Sequence, residues 1–497
     1  MAPGAQYPVI YEINTCLWLA ELGRTHRNPV TLDTVPPMEW DAIASHGFDA
    51  VWLMGVWERS PAGLAIARGN PSLMGACRRA LPDVTDGDLV GSPYCVRRYE
   101  VDASMGGPGG LAEARTQLAR RGLRLMLDFV PNHVAPDHPW IDDHPEYFVS
   151  GARADIERDP AAFMERNGRV FACGRDPYFP AWPDVVQLNA FQPGLRRAAI
   201  ETLSSIAAQC DGVRCDMAML LLNDIFERTW GARAGPKPAT DDWSDVIGQV
   251  RSRHGRFLFM AEAYWDLEWK LQQQGFDYCY DKRLYDRLEH GDADPIRQHL
   301  GGDSSYQRRL VRFLENHDEP RAAAVFPPDK HRAAAVVSMT LPGAKLLHEG
   351  QFQGRRTRLT VFLSRRPDES PDRELEQFYA KLLHQTEHEP FQSGEWAMCD
   401  CRGWPDNMTS RNLLAWCWKK DETRSLVIVN FSTEASQGLI RLPWSDLTGT
   451  WCLVDPFTAQ RYDRSGEEMR GNGLYVSLEP WRWHFFSFER GSERTYL

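Results

Sequence analysis

The chain has 497 residues, of which 57 are Lys or Arg and 68 are Asp or Glu, for a formal net charge of −11. Hydrophobic residues make up 43% and charged residues 25%, the balance of a globular protein that can bury a large core without disulfides or structural metals. The acidic balance argues against nucleic acid and against an anionic membrane as partners, since both require a basic face.

Short apolar runs alternate with amphipathic segments over the first four-fifths of the chain. This alternation predicts parallel strands covered by helices. The predicted strands are 9–13, 50–56, 123–130, 212–216, 256–261, 311–314 and 345–348, with a weaker one at 276–279. Predicted helices between them include 110–121, 195–209 and 242–254. Eight units favour a closed (β/α)8 TIM barrel, and an open doubly wound α/β sheet is the alternative.

Two intervals interrupt this rhythm. Residues 134–193 are rich in Pro, Asp, His and aromatic residues with little periodicity, which predicts a small inserted subdomain after strand 3. After residue 389, the short β-rich runs 426–431, 438–442, 451–454, 474–478 and 483–488 predict a C-terminal antiparallel β-sandwich. The expected domains are a catalytic barrel (1–133 and 194–389), the inserted subdomain (134–193) and the sandwich (390–497).

Polar residues follow four of the predicted strands at the point where each strand ends. Asp128 ends the third strand, Arg214 and Asp216 end the fourth, Glu262 follows the fifth and Asp318 follows the seventh. A lone aspartate at a strand end is most often a cap or a loop ion pair. Four clusters on barrel strands are harder to dismiss, because the carboxyl ends of barrel strands meet at one mouth.

This set of side chains suits glycoside hydrolysis. One carboxylate can attack the anomeric carbon, while a second, protonated carboxyl gives its proton to the leaving oxygen. A third can stabilise developing positive charge and bind sugar hydroxyls. Arg214, two residues before Asp216, is expected on the same strand face, where its cation would keep that carboxylate ionised.

These motifs resemble those of the α-amylase family of glycoside hydrolases, and the resemblance covers nearly the whole chain. The four main motifs correspond to Asp128-Phe-Val-Pro-Asn-His133, Gly212-Val-Arg-Cys-Asp216, Glu262 in Ala-Glu-Ala-Tyr-Trp, and Asn316-His-Asp318. Shorter signatures stand at 47–52, 187–189 and 341–343. Finding all of them in order is specific, whereas any one alone would not be.

The resemblance implies a role for each matching residue. Asp216 would be the nucleophile, Glu262 the general acid/base, and Asp318 would bind sugar hydroxyls and help to distort the ring. Net retention through a β-linked glycosyl-enzyme follows from these roles. Further substrate-binding residues are expected to be Tyr94, Asp128, His133, Trp140, Arg214, Trp265, His317 and Arg321.

Aromatic residues supply part of that set. Trp52, Trp57, Trp140, Trp182, Trp265 and Trp269 all fall near mouth-forming segments, and aromatic faces stack on sugar rings. Trp140 and Trp265 are the best candidates for substrate contact, while ordinary packing is the better interpretation for Trp52.

The sequence also departs from the family pattern. Residues 217–221 are Met-Ala-Met-Leu-Leu, where starch-cleaving members usually carry a Lys-His pair, so we expect an α-linked oligosaccharide as substrate rather than starch. The run ending in Arg321 resembles that of small-oligosaccharide α-glucosidases. No organic cofactor and no metal are expected: the short insertion lacks an obvious ligand set for the family's structural calcium, although Asn132 could contribute an oxygen.

Three alternatives stay open. A transglycosylase or glycoside phosphorylase would use the same carboxylates, and a catalytically inactive sugar-binding protein could share the fold. A nucleotide-dependent enzyme is disfavoured, because Pro108 removes an amide from the one glycine-rich run that mimics a dinucleotide fingerprint.

The cysteines and the N-terminus bear on location. The eleven cysteines form no C-x-x-C pair, so free thiols are the simplest interpretation. The first residues lack the basic and apolar segments of a signal peptide, and no run approaches a membrane-spanning length. We therefore expect a cytoplasmic protein, and the pattern indicates no particular oligomeric state.

Overall fold

A computed structural model describes residues 6–491 of the chain. Eight parallel strands close into a barrel, which confirms the predicted fold and excludes the open sheet. In chain order, strands β1 to β8 are Val9–Asn14, Ala50–Met54, Arg124–Phe129, Gly212–Cys215, Leu258–Ala261, Tyr278–Tyr280, Leu310–Arg312 and Ala344–His348. Strand β8 pairs with β1, with Lys345 opposite Val9, and this pairing closes the ring.

Apolar residues on both faces of each strand explain why the barrel strands read as continuous hydrophobic runs. In β2, Val51 packs outward under the helices, whereas Trp52 packs inward in the cluster that fills the barrel. Strand β6, the weakest prediction, is three residues long.

Helices cover the outside of the barrel. In Pro193–Gln209, a proline in the first turn starts the helix, and Ile200, Leu203 and Ile206 recur at helical spacing on the buried face. The other helices of at least eight residues are Thr15–His26, Pro37–Ala44, Pro61–Arg68, Pro71–Ala80, Gly107–Arg120, Asn223–Trp230, Trp243–His254, Lys282–His290, Ala293–Leu300, Pro328–Thr340 and Arg373–Thr386. Shorter helices are Trp140–Asp143, Arg153–Arg158, Glu268–Gln273, Ser304–Gln307, Ala322–Val325, Glu389–Ser393 and Gly466–Gly471.

The interval after β3 contains more regular structure than its sequence suggests. Four antiparallel strands form a sheet in the order His133–Val134, Trp182–Gln187, Arg169–Gly174 and Phe163–Arg166. A separate small core that includes Phe148, Phe171 and Val186 supports this sheet. A separate two-stranded antiparallel sheet, Trp57–Arg59 with Val96–Val101, follows β2. Because these strands are short and irregularly paired, period-2 alternation is weak in the sequence.

The C-terminal region is a two-sheet antiparallel structure, as predicted. A six-stranded sheet runs in the order Glu395–Met398, Leu413–Lys420, Thr423–Asn430, Trp483–Arg490, Thr450–Asp455 and Gln460–Ser465. It faces a three-stranded sheet of Asp400–Arg402, Ser436–Arg441 and Leu474–Leu478. On the barrel side, Trp418 Nε1 donates to the carbonyl of Thr340 at 2.8 Å. The numerical domain boundaries stay a prediction.

Two further observations concern the chain as a whole. All eleven cysteines lie in the described part of the chain as free thiols. Cys215 packs between the barrel and its helices, on the face of β4 opposite Arg214. Between residues 6 and 491, no helix combines the length and the apolar character needed to cross a membrane.

Candidate active site

A pocket of about 740 Å³ opens at the carboxyl ends of the barrel strands, a volume that suits a small-molecule ligand. Its floor consists of Tyr94, His133, Asp216, Glu262 and Asp318, and Arg214 and His317 contact the floor carboxylates. Its rim includes the apolar side chains of Ile66, Leu73, Phe179, Trp182, Met217 and Phe362, together with the polar side chains of Asn70, Asp184 and Arg358. The floor is thus polar and comes from strand ends, whereas the rim is largely apolar.

One arginine holds two carboxylates of the floor. Arg214 is fully buried; its Nη1 donates to Asp216 Oδ1 at 2.5 Å, and its Nη2 lies 2.8 Å from Glu262 Oε2. Burial alone would lower the pKa of Arg214, but the nearby Glu262 carboxylate raises it well above its usual range. The guanidinium is therefore a fixed cation under both acids.

The two oxygens of Glu262 have different surroundings. Oε2 accepts the backbone N–H of Met217 at 2.6 Å, while Oε1 accepts the hydroxyl of Tyr264 at 3.0 Å. Met217 has a φ of 42°, a left-handed conformation that is strained for a long side chain. In this conformation its backbone N–H points toward the Glu262 carboxylate. Burial raises the pKa of Glu262 to about 7, against the opposing pull of Arg214. A carboxyl with this pKa can both give and take a proton at neutral pH.

A second buried chain of contacts supports Asp318. His317 Nδ1 lies 2.5 Å from Glu12 Oε1, and its Nε2 lies 2.9 Å from Asp318 Oδ2 and 2.7 Å from the hydroxyl of Tyr94. Burial would lower the pKa of His317, but the carboxylates of Asp318 and Glu12 raise it to about 10. Partial burial would raise the pKa of Asp318, yet the imidazolium beside it holds that pKa well below its usual range. His317 is therefore a cation that fixes Asp318 as an anion.

Asp128 lies behind the residues that line the pocket, and its expected contact with substrate stays a prediction. Its carboxylate accepts Trp52 Nε1 at 3.1 Å and the backbone N–H of Gly55 at 2.8 Å. Gly55 has a φ of +77°, and a Cβ there would meet the Cβ of Pro93 at 2.6 Å, so a glycine is required. Because Pro93 precedes Tyr94, Asp128 stabilises the segment that brings the tyrosine ring to the floor.

His133 reaches the floor from the first strand of the inserted sheet. Burial lowers its pKa, so the ring is neutral near pH 7 and can exchange hydrogen bonds with a neutral ligand. The ring of Trp182 packs edge-on against it, with centroids 5.3 Å apart. This contact fixes the imidazole where floor and rim meet.

The neighbouring Asn132 does not fit a calcium ion. Both its carbonyl oxygen and its side-chain Oδ1 accept hydrogen bonds from Gln187 Nε2 at 2.9 Å. Across residues 6–491, no group of three or more His, Cys, Asp or Glu side chains is arranged to hold a metal. Calcium prefers six to eight oxygen ligands. The two Asn132 oxygens are instead occupied by the Gln187 amide donor, so they are not available as calcium ligands.

Three other residues expected to contact substrate lie away from the pocket. Trp140 packs edge-on against Tyr147 and lines a separate small cavity, because its helix turns into the core of the inserted region. Trp265 packs edge-on against Tyr178 behind the rim, with centroids 4.7 Å apart. Arg321 is buried and donates to the carbonyl of Glu349 at 2.7 Å, so its guanidinium faces inward. None of the three lines the pocket, and their expected contact with substrate stays a prediction.

Several residues that line or support the pocket were not predicted from the sequence. Glu12, a charged residue in the middle of an apolar strand, could have been found from its position alone, because an isolated charge inside a barrel needs a partner. Tyr264 stands two residues after Glu262 and could have been found from strand periodicity. Phe179 and Arg358 come from irregular segments, and their sequences carry no comparable signal.

With this geometry in hand, the chain can be compared with known proteins. No family model matches it. It is similar to the alpha-amylase MalA of Haloarcula japonica, with 25% identity over 324 residues, which are 63% of this chain and 43% of that protein. It is also similar to the alpha-1,4-glucan:maltose-1-phosphate maltosyltransferase 2 of Streptomyces coelicolor, with 30% identity over 132 residues, or 25% of this chain and 18% of that protein. The chain thus spans less than half the length of both curated relatives.

Among solved structures, the fold is similar to that of a noncanonic maltogenic alpha-amylase, AmyB, from Thermotoga neapolitana. The TM-score is 0.70, with 98% of this chain and 99% of that chain covered. Sequence identity between the two is 19%, so the likeness supports the fold. It extends over the barrel, the inserted sheet and the C-terminal sheets.

Proposed function

Because this chain belongs to the α-amylase family, we propose that it is a retaining α-glycoside hydrolase acting on α-glucosidic bonds of oligosaccharides. The observation that carries the proposal is the single buried guanidinium of Arg214 shared by Asp216 and Glu262. A guanidinium that touches both carboxylates keeps them close, which favours the separation of about 5–5.5 Å of retaining enzymes over the 6.5–9.5 Å of inverting ones.

In the first step, Asp216 attacks the anomeric carbon. Its Oδ1 accepts the hydrogen bond from Arg214, which leaves Oδ2 free to form the new bond. Glu262 simultaneously gives its proton to the glycosidic oxygen, and the leaving sugar departs as an alcohol. Oε2 of Glu262 already accepts from the Met217 N–H and lies against the Arg214 guanidinium. Oε1 is therefore the oxygen that carries the proton to be transferred.

In the second step, Glu262 takes a proton from a water molecule, which attacks the anomeric carbon. The bond to Asp216 breaks, both carboxyl groups return to their starting states, and the sugar leaves with its original α configuration. Asp318, held as an anion by His317, stabilises the positive charge that develops on the ring and accepts hydrogen bonds from sugar hydroxyls. Tyr94 offers its ring face to the same sugar.

Transfer to another acceptor is the second candidate. Two observations favour keeping it: the matched relative from Streptomyces coelicolor is a maltosyltransferase, and the apolar rim offers an acceptor molecule more contact area than it offers water. The chemistry of Asp216 and Glu262 would be the same, since only the attacking molecule of the second step differs.

The substrate proposal is an α-linked di- or trisaccharide. Apolar side chains such as Met217 make up most of the rim, so a long glucan would meet few polar partners there beyond Asn70, Asp184 and Arg358. We also place the enzyme in the cytoplasm, because eleven unpaired thiols are typical of a reducing compartment.

A product analysis tests these proposals. The purified chain is incubated with a panel of α-linked di- and trisaccharides and with soluble starch, with and without phosphate or a second acceptor sugar. We expect free sugars from the short substrates, at rates above the rate on starch. A marked preference for starch would overturn the substrate proposal, and products that form only with phosphate or an acceptor would replace hydrolysis by transfer. Asp216→Asn is the control for contaminating activity.

A further inference from the structure

A second groove, of about 470 Å³, lies on the flank of the barrel beside the loop that follows Glu262. Its walls carry Trp269 and Tyr306, whose rings lie 6.2 Å apart. Trp269 is 48% exposed, which is unusual for the largest apolar side chain. The groove is therefore an open cleft with an aromatic wall, distinct from the active-site pocket.

A buried carboxylate faces this groove. Glu268 lines it but is only 2% exposed. Within the described residues, no other side chain donates a hydrogen bond to its carboxylate or forms an ion pair with it, and burial raises its pKa. Among the described residues, only its own backbone N–H donates to this carboxylate. A buried carboxyl group with so few donors is costly, and the groove is the open side from which a further donor can reach it.

The charges around Glu268 select the class of ligand. The groove carries three carboxylates, of Asp266, Glu268 and Asp303, and two guanidiniums, of Arg283 and Arg287. Asp266 and Arg283 already form an ion pair, while burial lowers the pKa of Arg287. An anion would meet a net negative wall, and three carboxylates this dispersed form no metal site. A neutral ligand with hydroxyl donors, hydroxyl acceptors and an apolar ring face fits these groups.

We propose that this groove is a second carbohydrate-binding site, in which a glucose ring stacks on Trp269 and gives a hydroxyl hydrogen bond to Glu268. The ring face would cover the exposed indole, and Arg287 would donate to a sugar oxygen. The choice of α-linked glucose units as ligand rests on the proposed function, but the stacking and the hydrogen bond require only a neutral sugar.

The groove lies close to the leaving-group side of the active-site pocket. Glu262 donates its proton toward the leaving group, so the segment after it borders the leaving-group side of the pocket. Tyr264 of this segment lines the pocket, and Asp266, two residues on, lines the groove. A sugar bound at Trp269 would therefore sit beside the exit for the leaving sugar.

Native electrophoresis through gels containing glycogen tests the site. The Asp216→Asn variant serves as parent, so that the probe is not consumed, and Trp269→Ala and Glu268→Gln are added to it separately. We expect the apparent dissociation constant for glycogen to rise about tenfold in Trp269→Ala, the effect of losing roughly 1.4 kcal/mol of stacking and contact. Glu268→Gln should give a smaller rise in the same direction.

A matched control removes a different surface aromatic. Tyr475 is 52% exposed and lies 6.2 Å from Trp404 in the C-terminal sheets, so Tyr475→Ala deletes a similar exposed ring. It should leave glycogen retardation unchanged. Equal retardation of Trp269→Ala and its parent would overturn the proposal, as would equal losses in Trp269→Ala and Tyr475→Ala.

A kinetic readout separates this proposal from the proposed function. Trp269→Ala in the otherwise native chain should keep kcat/KM for p-nitrophenyl α-glucoside, because that substrate fits the pocket alone. Loss of glycogen binding with an unchanged kcat/KM supports the second site. If the native chain shows no glycosidase activity while Trp269→Ala still abolishes retardation, the proposed function fails and the sugar site stands. A matched loss of both readouts would overturn the second site.

Discussion

The floor and the rim of the active-site pocket are built in different ways. Floor side chains are held by several neighbours: Arg214 touches both Asp216 and Glu262, and His317 bridges Glu12 and Asp318. Rim side chains such as Phe179 are held loosely, and that ring is 64% exposed. Fixed groups suit bond-making, which tolerates little displacement, whereas adaptable apolar groups suit the choice of ligand.

We therefore propose that the floor carries the chemistry and that the rim sets the selectivity. A change in the floor should therefore lower the rate for every substrate, while a change in the rim should alter the order of preference among substrates.

Removal of the nucleophile should have the largest effect. In Asp216→Asn the amide cannot form the glycosyl ester, so we expect kcat/KM to fall by about 10⁴-fold or more on every substrate. Thermal unfolding followed by circular dichroism should show a folded protein. Asp463→Asn, at an exposed position of the C-terminal sheet, is the matched control and should keep full activity. Retained activity in Asp216→Asn would contradict the assignment of the floor.

Removal of the acid should come next and should change the pH profile. In the proposed mechanism Glu262 is protonated in the first step, so its pKa of about 7 predicts that kcat/KM is full below pH 7 and falls as the pH rises above it. In Glu262→Gln we expect a loss of about 10²–10⁴-fold and no fall in this pH range. An aryl leaving group, which needs less protonation, should lose less than a sugar. A fall near pH 7 that persists in the variant would show that another group titrates.

Glu12 should matter through His317 alone. Glu12→Gln keeps an acceptor near Nδ1 but removes the charge, so the pKa of His317 should fall below its value of about 10. We expect kcat/KM at pH 6 to drop about tenfold, the size of one charge-assisted hydrogen bond. Titration of ¹⁵N-labelled imidazole, assigned by subtraction of a His317→Gln spectrum, should show the lower pKa. An unchanged titration would show that Glu12 does not raise the pKa of His317.

A rim change should have the smallest effect on rate and the clearest effect on preference. Phe179→Ala should raise KM by about three- to fivefold for substrates with apolar leaving groups, because it removes a contact of about 1 kcal/mol. The kcat for a disaccharide without an apolar leaving group should stay unchanged. Met38, also 64% exposed but remote from the pocket, provides the control variant Met38→Ala. An equal loss on all substrates would erase the distinction between floor and rim.

The same contrast explains what could be predicted from the sequence. The barrel strands and the three floor carboxylates were found because strand ends carry short polar motifs after apolar runs. Trp140, Trp265 and Arg321 do not line the pocket, because a motif neighbour can face either side of a loop. Their orientation depends on partners such as Tyr147, Tyr178 and Glu349, which are distant or irregular in sequence.

Other features depended on contacts between remote segments. The ion pair of Glu12 and His317 joins residues 305 positions apart, and no local pattern reveals it. The inserted sheet was missed because its short strands lack clear alternation, and strand β6 was weak because it is only three residues long. Rim residues come from such irregular segments, so selectivity is the part of the function that the sequence predicts least.

The central claim is a double displacement through Asp216 and Glu262, and the configuration of the first product tests it most directly. An α-linked disaccharide or trisaccharide is mixed with the enzyme in an NMR tube, and the anomeric proton signals are followed before mutarotation. The account predicts that the α anomer forms first and that the β anomer grows only later. First formation of the β anomer would contradict it, because a single displacement by water would then replace the glycosyl-enzyme.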